Sequence, residues 1–203
     1  MSTEQSAPRA RRSPEESKAN ILAAAERLLV AKGPQSIKLA EVAAEAGVTH
    51  PTVLHYFGSI TDVQAALMEQ MIRKLVERII AGDLAATGAP ADPMASASAL
   101  FDAFEAPGAA RLAAWLEMTS QTGRFTLVSQ AVEDVVNKSM APHGMDPERA
   151  EDLILLAVIL ALGVGLFGAS MAEHLGRPTG RARELALDLL RDRVENLQAP
   201  PTA

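Results

Sequence analysis

Residues 37–57, reading IKLAEVAAEAGVTHPTVLHYF, leave the chain little conformational choice. Val42 and Ala46 are four apart and share one helix face. Ala43 is small enough for two helices to cross closely. Gly47 stands where a helix ends and the chain needs positive φ to turn sharply. Val48 plugs the corner, and the Thr49 hydroxyl can cap the next helix. Pro51 falls in that helix's first turn, where a missing N–H costs nothing. Val53 and Phe57 then return to the core, leaving His50, Thr52 and Tyr56 pointing outward. The pattern predicts two short helices joined by a tight turn, an arrangement that can present the second helix to a DNA major groove. The bland alternative is an ordinary helical hairpin.

The flanks favour the first reading. An amphipathic helix precedes the pair, with Ile21, Leu22, Ala25, Leu28 and Leu29 in register before a stop at Gly33-Pro34. Gly58-Ser59 then opens another helix. With these flanks, residues 15–68 resemble the DNA-binding domain of the TetR family of transcriptional regulators, most closely at His50-Pro51-Thr52-Val53, where that family starts its recognition helix. The resemblance implies base contacts from His50, Pro51 and Thr52. It implies phosphate contacts from Tyr56, Lys38 and an N-terminal arm of Arg9, Arg11 and Arg12; Thr49 and His55 complete the candidate DNA-binding set. Three positions depart from the family pattern. Lys38 replaces the usual Thr or Ser at the start of the second helix, Leu54 the usual Tyr, and Ile60 the usual Lys. These departures motivate an alternative: a TetR-like ligand- or partner-binding protein with weakened or lost DNA binding.

Charge is unevenly spread. The whole chain carries −6, but residues 1–60 hold seven Lys or Arg against six Asp or Glu, while residues 61–203 hold twelve against nineteen. The acidic total argues against a generic nucleic-acid binder, and the one segment that is not acidic is the one with the paired helices. The arginine arm can follow phosphates or enter a minor groove; set among Ser, Pro, Gln and Ala, it also reads as a disordered tail. With no cysteine the chain has no disulfide framework, thiolate metal site or thiol nucleophile. A cytoplasmic protein is expected, since no apolar run follows the N-terminal arginines.

After residue 60 the chain reads as helices only. A long one is expected over 60–82, with Val63, Leu67, Met71, Leu75 and Ile79 at steps of four. A Gly-, Ala- and Pro-rich loop follows to Pro93. Helices are then expected over 93–106, 107–121, 124–140, 147–175 and 180–198. Residues 153–172 carry no charge, which is long enough to span a bilayer. Three glycines, four alanines and acidic flanks favour a buried helix instead. Its companion carries Leu187, Leu190, Val194 and Leu197. Two such helices from each of two chains would make a four-helix bundle, and the resemblance also implies a homodimer. The interface is expected at Leu162, Gly165, Leu166, Leu187, Leu190, Val194 and Leu197.

Nothing in the sequence suggests catalysis. The four histidines lack metal-pair spacing, and no nucleophile elbow, phosphate loop or zinc signature occurs. No enzyme activity, cofactor, metal site or membrane partner is expected. Bulky apolar residues cluster in the middle helices, and a small-molecule pocket is expected at Met71, Leu75, Phe101, Phe104, Trp115, Met118 and Phe125. These side chains could instead simply fill the core. The scarcity of buried charge points to an uncharged, lipophilic effector. The expected fold is all-α. A basic arm (1–14) precedes a three-helix helix-turn-helix DNA-binding domain (15–60) and a larger helical ligand-binding and dimerisation domain (61–203). The expected function is that of a repressor released from a palindromic double-stranded operator by the effector.

Overall fold

The computed structural model describes residues 13–85, 93–119, 126–140 and 146–198. The helices are α1 (Pro14–Lys32), α2 (Leu39–Ala46), α3 (His50–Phe57), α4 (Ile60–Ala85), α5 (Pro93–Glu105), α6 (Ala109–Met118), α7 (Thr126–Val135), α8 (Pro147–Gly163), α9 (Ala169–His174) and α10 (Arg181–Gln198). A 3-10 turn, Pro34–Ser36, follows α1; π-helical turns, Val136–Met140 and Val164–Gly168, follow α7 and α8. No strand occurs among the described residues. The fold is all-α, with an N-terminal helix-turn-helix and a helical C-terminal part.

Local chemistry sets the first elements. A capping box opens α1: Glu16 N–H donates to Ser13 Oγ at 3.1 Å, and Ser13 N–H to Glu16 Oε2 at 2.7 Å. Gly47 ends α2 in the left-handed region, φ 66° and ψ 37°. There Gly47 N–H donates to Ala44 O and Val48 N–H to Ala43 O, a paired closure that satisfies the last carbonyls of the helix. Asn20 of α1 reaches across to donate to Ala46 O at 2.8 Å, and Arg27 pairs with Glu45 at 2.6 Å. The turn is therefore pinned from outside as well as by its own residues.

Two apolar cores follow. The first joins Ile21, Ala25, Leu28 and Leu29 of α1 to Val42 and Ala46 of α2 and Val53 of α3. It runs past residue 60, taking in Val63 and Leu67 of α4 and Leu112 and Leu116 of α6. Gly108, just before α6, lets the chain pass close to α1. A β-carbon there would lie 2.5 Å from Leu29 Cγ. The second core joins Leu100 and Phe101 of α5 to Leu153, Ala157 and Ala161 of α8 and Ala186, Leu190 and Val194 of α10. Arg183 stitches α10 to α5, bonding Asp102 Oδ1 at 2.7 Å and Glu105 Oε2 at 2.6 Å, with its guanidinium 5.9 Å from the Phe101 ring centre. Burial pulls the guanidinium pKa down, but hydrogen bonds and charge from both carboxylates outweigh it and leave the value raised. Asp102 also faces Arg78 of α4 at 3.6 Å.

The observed boundaries depart from expectation at several places. The long helix α4 continues to Ala85, three residues beyond 82. The segment expected as one helix over 124–140 is α7 followed by a π turn, and the one over 147–175 is α8, a π turn and α9. Helix α6 is shorter than its expected 107–121.

Candidate nucleic-acid interface and internal cavity

Helix α3 is held so that its N-terminal end faces solvent. Thr49 caps it, with Oγ1 accepting from Thr52 N–H at 3.4 Å and lying 2.8 Å from Thr52 Oγ1. His50, Pro51, Leu54 and His55 are exposed, while Val53 is wholly buried. Thr52 and Tyr56 are half-buried; Tyr56 packs on the first core and meets His55 edge-on at 5.1 Å. Lys38 occupies the position before α2 in extended conformation and is exposed. It makes no side-chain cap, and its ammonium forms no ion pair among the described residues. The structure thus brings Thr49, His50, Pro51, Thr52, His55 and Tyr56 together on α3 and sets Lys38 at the start of its partner helix. Arg9, Arg11 and Arg12 lie outside the described residues.

A cavity of about 680 Å³ sits between α4, α5, α7 and α8. Helix α4 contributes Met68, Ile72, Leu75, Val76 and Ile79; α5 contributes Met94, Ala97, Leu100 and Phe104. Across from them stand Val132 and Val135 of α7 and Ile154, Val158 and Leu162 of α8. Ser96 and Glu117 are the polar side chains in this wall. Glu117, exposed on α6, is the one carboxylate at its edge, and the rest of the wall is apolar.

The expected pocket residues are dispersed. Leu75 and Phe104 line the cavity. Met71 packs on the first core, one helical step away from the stripe that faces the cavity. Phe101 is fully buried in the second core and serves as packing. Met118 is 84% exposed and is not in the wall. Trp115 lines a different cleft, beside Lys38 and Gln64. Phe125 lies outside the described residues. Sequence reading missed Glu117 and the α7 and α8 wall; a second apolar stripe on α4, Met68-Ile72-Leu75-Ile79, was the available signal.

The expected interface residues need a similar correction. Leu190 and Val194 are buried in the chain's own core, and Leu187 packs on it. Gly165 faces inward too: a β-carbon would lie 2.6 Å from Phe104 O. Leu162 lines the cavity and Leu166 is half-buried; the Leu197 side chain lies outside those described. The exposed apolar side chains are others: Leu155, Ile159, Phe167 and Met171 on α8, its π turn and α9, and Leu185 and Leu189 on α10. Leu155 and Ile159 lie on the α8 face opposite Ala157 and Ala161, whereas Leu185 and Leu189 flank the buried Ala186 and Leu190 on α10. The stretch Pro147–His174 is long and apolar enough to cross a membrane by length and composition.

Paired short helices joined at Gly47, with the N-terminal end of the second exposed and an all-helical body behind them, have the geometry of a helix-turn-helix DNA-binding unit. Residues 21–67 match the family model described as bacterial regulatory proteins, tetR family. Among solved structures, the multidrug binding protein EbrR complexed with imidazole is similar at 21% identity, covering 93% of this chain and 98% of that one, with a TM-score of 0.65. A TetR-family transcriptional regulator from Streptomyces coelicolor is similar at 21% identity, covering 90% and 99%, with a TM-score of 0.64. At that identity the two share the fold. Comparison with curated proteins gives no match. Residues 21–67 thus carry a domain like that of the tetR family of bacterial regulatory proteins, and the chain as a whole shares the fold of TetR-like structures.

Proposed function

We propose that a dimer of this chain represses transcription by occupying a roughly palindromic operator, and that a lipophilic effector in the 680 Å³ cavity releases it. One observation carries this reading: α4 belongs to both halves. Its Val63 and Leu67 are in the core that holds α3, and its Ile72, Leu75 and Ile79 form a cavity wall two turns later. A guest that moves this wall moves the base of the DNA-binding unit. Such a guest acts only by favouring the arrangement that does not bind DNA.

His50, Pro51 and Thr52 would read bases, with Lys38, Tyr56 and the Arg9, Arg11 and Arg12 arm on phosphates. A second copy would cover the exposed stripe Leu155-Ile159-Phe167-Met171 together with Leu185 and Leu189. Covering that stripe accounts for its apolarity without a membrane, and it supports a cytoplasmic regulator. Leu155 and Ile159 also line the cavity, so the partner would lie beside its open side. The exposed Glu117 carboxylate at the cavity edge adds a modest preference for a lipophilic cation over a neutral guest. A multidrug-binding protein of the same fold, EbrR, is consistent with a permissive apolar site.

Selection of bound fragments from genomic DNA, followed by their release with tetraphenylphosphonium, tests the proposal. Release by the cation is expected, with cation binding about two- to fivefold weaker in Glu117→Gln, the value of a solvent-exposed charge. Failure to enrich any fragment at low salt favours the reading in which DNA binding has been lost.

A further inference from the structure

A second cleft, of about 470 Å³, opens where the DNA-binding unit meets α6. The effector reading makes no use of it. Ile37 and Leu39 before and in α2, Ile60 of α4 and Trp115 of α6 give it apolar walls. Lys38 supplies the one charged side chain in its lining. Gln64 is the buried polar side chain among the described residues, 9% exposed, and it also lines the cleft. Its Nε2 donates to Ile37 O at 3.1 Å. Its amide oxygen accepts from no described residue, yet among the described residues no fully buried side-chain oxygen is left unpaired, so that oxygen keeps some exposure, on the side that lines the cleft.

We infer that this cleft is a second small-molecule site, and that it takes a hydroxyl-bearing aromatic carboxylate. The aromatic ring lies against Trp115 and the aliphatic walls. The carboxylate meets the Lys38 ammonium at the positive pole of α2, where no side chain caps the helix. The ring hydroxyl donates to the Gln64 amide oxygen. An anion so placed draws Lys38 away from a DNA phosphate. It therefore competes with DNA for one side chain, with no need to move α4. The competition rests on the proposed DNA contact of Lys38; occupancy of the cleft does not.

Trp115 is the chain's only tryptophan, so its indole N–H gives a single resonance inside the cleft. The probe is 6-hydroxy-2-naphthoate, with the neutral 6-hydroxy-2-naphthamide as control. The naphthoate is expected to shift the indole resonance saturably. Its Kd should rise about tenfold or more in Lys38→Met, be kept in Lys38→Arg, and be matched in weakness by the amide. The shift should persist in Ile72→Phe, which narrows only the larger cavity. No shift, equal binding of acid and amide, indifference to Lys38→Met, or loss in Ile72→Phe each overturns the site. Adding a mixed-sequence duplex at low salt should raise the naphthoate Kd. A duplex that binds yet leaves that Kd unchanged overturns the competition. A duplex that does not bind at all defeats the DNA reading, and the naphthoate titration alone then decides the site.

Discussion

The two halves of this molecule bury apolar surface in opposite ways. In the N-terminal half the large side chains go inside: Ile21, Leu29, Ile37, Val42 and Val53 are essentially inaccessible, and three elements interlock around them. In the C-terminal half α8 turns its alanines, Ala157 and Ala161, inward and leaves Leu155 and Ile159 exposed; Phe167, in the π turn, is 63% exposed. The first arrangement fills its core within one copy. The second borders a cavity of about 680 Å³ and shows an exposed apolar face, the two features on which the proposed effector and dimer rest. A well-packed N-terminal core joined to a cavity-bearing half suits the proposed ligand control, because the half with empty space has most room to rearrange around a guest.

Matched truncations would break this contrast most forcefully. Leu29→Ala removes a fully buried side chain packed against α2 and Gly108, and should cost about 2–5 kcal/mol in denaturant unfolding. Leu75→Ala removes a half-buried side chain that already borders empty space, and should cost no more than about 1.5 kcal/mol. Equal losses would mean that the two halves are packed alike. The next effect is on assembly. Phe167→Glu puts a charge into the uncovered face and should weaken the dimer by about 2–4 kcal/mol, giving monomers in sedimentation at micromolar concentration. Gly165→Glu should instead damage folding, because its side chain would strike the Phe104 carbonyl. An ordinary dimer in Phe167→Glu would place the interface elsewhere.

Smaller effects separate roles within the reading surface. Thr52→Ala should relax sequence preference by about 1–3 kcal/mol at the contacted position. Lys38→Ala should weaken all sequences alike and flatten the salt dependence by about one unit. A Lys38 variant that alters preference between sequences would move this residue from phosphate to base contact.

How much of this was legible in the sequence follows the same divide. The turn was readable because each residue acts locally: Gly47 needs its positive φ, Thr49 caps, Pro51 begins a helix, and Val42, Ala46 and Val53 repeat at helical spacing. The helices of the second half were also readable, but not the direction they face. A helix apolar on every side carries no periodic sign of which side is inside. Small residues took the inward side of α8, since they let α5 and α10 approach closely, and that reversed the expected roles of Gly165 and Leu190. Met71 and Phe101 look like Leu75 and Phe104 in sequence; a rotation of about one residue along α4 or α5 decides which meets the cavity. Glu117 reads in the sequence as an ordinary exposed helix position, which it is; only the apolar walls of α4, α7 and α8 beside it put it at a cavity edge.

Reciprocity between the two halves is the most direct test of the α4 linkage. Tetraphenylphosphonium binding would be measured calorimetrically with and without the selected DNA fragment, and fragment binding with and without the cation. The expected result is one common factor in both directions, worth about 1–3 kcal/mol or roughly 5- to 150-fold. Cation binding that saturates the cavity while leaving fragment affinity unchanged would contradict the linkage and leave the cavity without a regulatory role.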